Sequence, residues 1–141
     1  MVSPNIAVRG NVLLVEDDAD SGDMMLTLLR NEGYNARLAK SRDSALMAVR
    51  QHRFDIVLID VVMPGISLQE FIERLPATLR DRIVLMSALV DPEKIATSLK
   101  LKTWVRKPFD PNQLLEILNR LGSRSASQSG DSTTIDPDRE G

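Results

Sequence analysis

Acidic residues stand where two apolar runs of this chain stop. Val12-Leu13-Leu14-Val15 ends at Glu16-Asp17-Asp18, and Ile56-Val57-Leu58-Ile59 ends at Asp60. Two further runs close on other polar groups: Ile83 to Met86 on Ser87, and Thr103 to Arg106 on Lys107-Pro108. If these runs are buried strands lying side by side, three carboxylates, a hydroxyl and an ammonium meet at one edge of a sheet. Gathering like charges there costs on the order of several kcal/mol unless a cation compensates them. Set against Glu16, Asp17 and Asp60, Lys107 alone leaves a formal charge of -2, which one divalent ion neutralises. Oxygen donors with no histidine or cysteine among them favour a hard ion, Mg²⁺ first and Mn²⁺ second.

Short runs rich in Val, Ile and Leu alternate along the chain with stretches of helical period, the pattern of repeated βα units around a parallel sheet. Five units fit. After the first run, Met25, Leu28 and Leu29 lie on one helical face and Gly33 provides the stop. Asn35 to Leu38 is a weaker strand, and Ser41 caps a helix carrying Ala45, Ala48 and Val49. The run Ile56 to Ile59 is apolar without alternation, which predicts a central strand buried on both faces. Ser67 and Glu70 have the spacing of a capping box ahead of Leu68, Phe71, Ile72 and Leu75, with Pro76 as the stop. Asp91-Pro92 and Asp110-Pro111 each place an N-cap before a proline at the first helical position, ahead of Ile95 and Leu99 and of Leu114, Leu115, Leu118 and Leu121. Gly122 is read as the end of the last helix.

The chain has 141 residues, 43% of them hydrophobic and 27% charged, which is single-domain length and ordinary globular composition. Residues 1–10 are expected to be a flexible N-terminus, 11–122 the folded domain, and 123–141 a disordered tail rich in Ser and Asp, too poor in apolar residues to offset its ordering entropy. With no cysteine, disulfides and thiolate metal sites are excluded. The net charge of -2 offers no bulk attraction for nucleic acid, and no apolar stretch reaches the length of a membrane span. A cytoplasmic protein with neither direct nucleic-acid binding nor membrane insertion is expected. His52, the single histidine, is expected to face solvent.

In an open parallel α/β sheet, ligands bind beyond the carboxyl ends of the strands, where the strand order reverses, and Glu16, Asp17, Asp60, Ser87 and Lys107 all fall at such ends. These residues resemble the receiver domain of two-component response regulators. Leu13 to Asp18 is similar to that family's acidic first-strand motif, and Asp60-Val61-Val62-Met63-Pro64-Gly65 to its phosphoacceptor through Met-Pro-Gly. Ser87-Ala88 is similar to its hydroxyl-plus-small pair, and Lys107-Pro108-Phe109 to its Lys-Pro-Phe. The resemblance covers about Asn11 to Gly122.

What the resemblance implies is a CheY-like, flavodoxin-like, doubly wound five-stranded parallel sheet, (βα)5, in strand order 2-1-3-4-5. Asp60 would accept a phosphoryl group from a phosphohistidine on a sensor histidine kinase or a histidine phosphotransfer protein. Glu16, Asp17, Asp60 and the Val62 backbone carbonyl would hold Mg²⁺; Lys107 and Ser87 would meet the phosphoryl oxygens. Ser87 and Trp104 would form a switch that repacks the face of helix four, strand five and helix five toward a downstream protein target not named by the sequence. The family also implies a cis bond at Lys107-Pro108. The expected protein is a stand-alone receiver that catalyses only its own phosphorylation and dephosphorylation and is otherwise not an enzyme. The alternatives are a phosphorylation-independent interaction module, or a receiver fragment of a larger hybrid kinase or regulator.

Some residues depart from the family pattern. Leu68 stands where a glycine is usual and is read as a core residue, Ser87 stands for the commoner Thr, and Trp104 for the commoner Tyr or Phe. Val62 and Leu89 put apolar side chains at loop positions that steer the hydrolytic water, so a long-lived phosphoaspartate is expected. A flavin carrier is disfavoured, because Glu16-Asp17-Asp18 would repel a phosphate after strand one. A haloacid-dehalogenase-type phosphatase would need a second acid where Val62 stands.

Overall fold

The structure is a computed structural model and describes residues 9–88 and 91–129. Five strands, β1 (Asn11–Val15), β2 (Asn35–Ala39), β3 (Ile56–Asp60), β4 (Ile83–Ser87) and β5 (Thr103–Arg106), form one sheet in the order β2-β1-β3-β4-β5. Every pairing is parallel. The helices are α1 (Ala19–Asn31), α2 (Arg42–Gln51), α3 (Leu68–Arg74), α4 (Pro92–Ser98) and α5 (Pro111–Ser129), with a 3₁₀ segment at Ala77–Arg82. This is the doubly wound α/β fold that the alternating pattern predicts.

Because successive strand residues point to opposite faces, each apolar run feeds two cores. Leu13, Val15, Val57, Ile59 and Leu85 pack with Leu46, Phe71, Ile72 and Ala96 on the side of α2, α3 and α4. Val12, Leu14, Leu58, Val84 and Met86 pack with Met25, Leu29, Leu114 and Leu118 on the side of α1 and α5. The strand residues in both sets are fully buried. Full burial of each such side chain contributes on the order of 1.5–3 kcal/mol, so a polar substitution in β3 would damage both layers.

Local signals account for most helix ends. Gly33 follows the end of α1 with φ of 95°, a conformation that L side chains rarely adopt. Its N–H donates to Arg30 O, and that of Tyr34 to Leu29 O. Asp91 caps α4 by accepting from Glu93 N–H, with Pro92 at the first helical position. Ser67 caps α3 by accepting from Glu70 N–H at 3.1 Å, but the expected reciprocal half of the box is replaced by an ion pair of Glu70 with Arg74 one turn on. The full capping box occurs instead at α2, between Ser41 and Ser44. Leu68 is partly buried against the core, as its spacing predicts.

Two boundaries correct the sequence reading. The last helix does not stop at Gly122 but continues to Ser129, so residues 123–129 of the expected disordered tail are helical. Gly122 is not among the positive-φ glycines, and the Ser, Arg, Ala and Gln after it include good helix formers with no proline; a glycine inside such a run costs only about 1 kcal/mol. Residues 130–141 and 1–8 lie outside the described residues. At the other end, Arg9 of the expected flexible N-terminus is tied down, its backbone N–H donating to Gly33 O at 3.0 Å and its guanidinium to Asn119 Oδ1 at 2.9 Å. Among the described residues no helix is long and apolar enough to cross a membrane.

Candidate functional site

The strand ladder runs one residue beyond the ends of the strands. Glu16 N–H donates to Ala39 O at 3.0 Å, Val61 N–H to Met86 O at 2.9 Å, and Lys107 N–H to Ser87 O at 2.8 Å. These bonds hold Glu16, Lys107 and the backbone just past Asp60 nearly as firmly as the strands, which is what brings the Glu16, Asp60 and Lys107 side chains to one place. Asp60 pairs in register with Met86, and Ser87 with Arg106.

Lys107 Nζ lies 2.7 Å from Glu16 Oε1 and 2.7 Å from Asp60 Oδ2. The three side chains are respectively 20%, 2% and 13% exposed, so the ammonium bridges two shielded carboxylates with a narrow opening to solvent. Burial by itself would pull the lysine down; hydrogen bonds and charge from Asp60 and Glu16 outweigh it and hold the ammonium above its usual pKa. The other oxygen of the Asp60 carboxylate, Oδ1, accepts from Val62 N–H at 3.0 Å. Both oxygens of Asp60 are thereby oriented. The Lys107-Pro108 bond is cis.

The acidic run after β1 divides its work. Asp18 is the N-cap of α1, its Oδ2 accepting from Ser21 N–H at 2.8 Å, and these hydrogen bonds hold its carboxyl below the usual value. Asp20 lies in the first turn of the same helix, where its charge suits the dipole. Glu16 is buried against Lys107, and its Oε2 accepts from Asp18 N–H at 3.2 Å. Asp17 is exposed. Among the described residues no three acidic or histidine side chains are drawn close enough together to hold a metal ion, so Glu16, Asp17 and Asp60 share the edge without forming a closed cage. Lys107 stands between two of them.

Ser87 is fully buried at the end of β4, and Trp104 is partly buried in β5, in register with Leu85 and packed against the α2, α3 and α4 side of the core. Val62 is 50% exposed beside Asp60. Leu89 lies outside the described residues. His52 is exposed, as expected.

Arg42 was not singled out by the sequence. It is the first residue of α2, yet it is 5% exposed. Nη2 donates to Val61 O at 2.6 Å and Nη1 to Ile66 O at 2.8 Å, with Met63 O at 3.5 Å, so the guanidinium fills the underside of the loop between β3 and α3. Its Nε is buried with no partner among the described residues. Burial pulls the guanidinium pKa down, against an opposing pull from the Asp60 charge. The one available signal was a conflict: a cation in the first turn of a helix opposes the dipole, so it needs a compensating reason to be there. Gly65 closes the same loop with φ of 108°, and a Cβ there would stand 3.0 Å from Asp43 Oδ2. Leaving aside Asp18, which caps α1, and counting Arg42, the edge sets Glu16, Asp17 and Asp60 against two cations, a formal -1. An all-oxygen donor set of that sign fits a hard divalent ion.

A five-stranded parallel sheet in this order, with these acids and this lysine at its carboxyl edge, defines a receiver-type α/β domain. Comparison with known proteins agrees: residues 12–119 match the response regulator receiver domain, and the chain belongs to that family, the receivers of two-component systems. It is 32% identical over 110 residues to the DNA-binding response regulator MtrA of Mycobacterium tuberculosis, covering 77% of this chain and 48% of MtrA. It is 34% identical over 141 residues to the transcriptional regulatory protein ZraR of Salmonella typhimurium, covering 87% of this chain and 32% of that protein. The structure of the chemotaxis response regulator CheY4 of Vibrio cholerae superposes with a TM-score of 0.69 at 29% identity, covering 79% of this chain and 97% of CheY4. The chain thus spans about half the length of MtrA and a third of ZraR.

Proposed function

We propose that this receiver accepts a phosphoryl group on Asp60 from a phosphohistidine of a sensor histidine kinase or a histidine phosphotransfer protein. The observation that carries the reading is the Asp60 carboxylate itself, fixed by Val62 N–H on one oxygen and by the Lys107 ammonium on the other. An Asp60 oxygen attacks phosphorus, an O–P bond forms, the N–P bond to the donor histidine breaks, and the electron pair returns to the imidazole. Most of the rate in such a transfer comes from positioning and from neutralising the phosphoryl oxygens. Lys107 follows the charge from carboxylate to phosphoryl group, and the Ser87 hydroxyl meets another oxygen.

Glu16, Asp17, Asp60 and the Val62 carbonyl would hold Mg²⁺, with Mn²⁺ as the substitute. When bound, the ion neutralises charge on the transferred group. Phosphorylation turns a charge of -1 at Asp60 into about -2, which increases the demand on Lys107. The response draws Ser87 toward the phosphoryl group and lets Trp104 fill the space it vacates, altering the face of α4, β5 and α5 toward a protein target. The chemistry ends on the chain itself, in a cytoplasmic setting, so it is not an enzyme toward other molecules.

The domain works alone or within a longer regulator: it covers 97% of CheY4 but only 48% of MtrA and 32% of ZraR, whose own names describe DNA-binding and transcriptional regulators. Incubation with acetyl phosphate and Mg²⁺ should add one phosphoryl mass to the wild type and none to Asp60→Asn, with a change in Trp104 emission. Labelling that persists in Asp60→Asn would overturn the reading; an unchanged emission in labelled protein would remove Trp104 from the switch.

A further inference from the structure

The Val61–Val62 peptide has two partners. Its carbonyl, Val61 O, accepts from Arg42 Nη2 at 2.6 Å; its N–H, on Val62, donates to Asp60 Oδ1 at 3.0 Å. One rigid plane therefore links a buried guanidinium to the carboxylate. We propose that Arg42 is a positioning residue for the chemistry at Asp60, orienting that carboxylate through the Val61–Val62 peptide. The proposal rests on the reading of Asp60 as phosphoacceptor and assigns a new residue to it.

Arg42 donates to carbonyls on both sides of Val62, to Val61 and, more distantly, to Met63, and reaches Ile66 across the loop, but it does not take the carbonyl of Val62. The loop is thus pinned at its flanks while the carbonyl beside Asp60 is left for other use. A peptide whose oxygen is bound by a cation is also a stronger donor at its nitrogen, since hydrogen bonds in series polarise one another. The arrangement is costly as pure scaffolding. A buried charge with one unpartnered N–H, at a helix end of the wrong polarity, is a poor way to hold a loop that an apolar residue could pack. A lysine ammonium donates from a single point, whereas the planar fork reaches the separated carbonyls of Val61 and Ile66 from two nitrogens.

The test compares wild type, Arg42→Met and Arg42→Lys, each first shown to be folded by its thermal transition. Two readouts are taken: the rate of Asp60 labelling by acetyl phosphate in Mg²⁺, and the Val62 amide proton resonance without phosphodonor. Arg42→Met should label about ten- to a hundredfold more slowly, as loss of positioning does, and its Val62 resonance should move upfield. Arg42→Lys keeps the charge but loses the fork and should fall between; it also serves if Arg42→Met does not fold. A merely structural role would lower the thermal transition and leave the rate and the resonance in place, and that result overturns the proposal. A wild type that takes no label overturns the phosphoacceptor reading and this role with it, whereas a labelled wild type with equally fast variants overturns the role of Arg42 alone.

Discussion

At the amino end of the sheet, Asn11 N–H donates to Asp55 Oδ2 at 2.9 Å, Asn35 Nδ2 to Asn11 Oδ1 at 2.8 Å, and Tyr34 OH to Asn119 Oδ1 at 2.8 Å, with Arg9 on the same amide oxygen. At the carboxyl end, Lys107 bridges Glu16 and Asp60, Arg42 feels the Asp60 charge from beneath the loop after β3, and Asp17 lies exposed next to Glu16. Each end is crossed by polar contacts between elements far apart in sequence. The amino end closes on itself, amide to amide and phenol to amide, with one cation and one anion. The carboxyl end gathers like charges and leaves a negative remainder. Satisfied groups of that kind hold β1, β2 and α5 together, whereas an unbalanced cluster lowers stability and is kept for what it binds.

Removing one charge from the unbalanced end gives the largest expected effect. The wild type should gain about 2.7 kcal/mol of unfolding free energy at a Mg²⁺ concentration a hundred times its dissociation constant. Asp17→Asn should be slightly more stable than wild type without Mg²⁺, because like charge is relieved, and should gain almost nothing when it is added. Urea unfolding with and without MgCl₂ checks both signs. An equal Mg²⁺ gain in the two proteins would break the contrast between the ends.

The balanced end should behave in the opposite way. Tyr34→Phe leaves a ring of the same shape and removes one hydrogen bond to Asn119, so it should cost about 1 kcal/mol of stability while Asp60 labels at the wild-type rate. Burial raises the Tyr34 phenol above its usual 10.0, against the lowering influence of Arg9. A raised folded value means that the stabilisation is complete below pH 10.0 and is lost as pH rises from there through the folded pKa. The stability gap between wild type and Tyr34→Phe should therefore be constant from pH 7 to about 9 and shrink above pH 10. Urea unfolding across that range measures it, and slowed labelling in Tyr34→Phe would mean that the two ends are coupled.

Residue type carries some of this architecture and not the rest. The central strands are legible because burial on both faces leaves β3 and β4 no polar alternation, and Glu16, Asp60 and Lys107 are legible because each stands where such a run stops or just beyond. Arg42 is not, since its partners are backbone carbonyls of Val61 and Ile66, and a carbonyl looks the same at every position. The 3₁₀ segment Ala77–Arg82 is hidden for a related reason: Pro76 marks the end of one element without specifying the type of the next. Gly33 and Gly122 show that a glycine stops a helix where the backbone turns left-handed, as at Gly33, and is carried through where the next residues can continue the ladder.

The smallest expected effect concerns how long the carboxyl end keeps its phosphoryl group. Val62 is half exposed, two residues from Asp60, and its own N–H already holds the carboxylate; with Asp60 phosphorylated as proposed, its side chain would stand beside the approach of water to phosphorus. An isopropyl group offers that water no hydrogen bond. Asparagine at the same position leaves the backbone N–H in place and adds an amide able to orient a water for in-line attack. Val62→Asn should therefore shorten the life of the phosphoaspartate by about three- to tenfold, the scale of orienting a nucleophile without activating it. The decay of the phosphoryl mass after acetyl phosphate is removed gives the rate directly. Because β3 is fixed from both faces, the substitution should leave stability nearly unchanged, so faster decay at equal stability would assign the effect to the water's path, and equal decay would show that Val62 does not guard it.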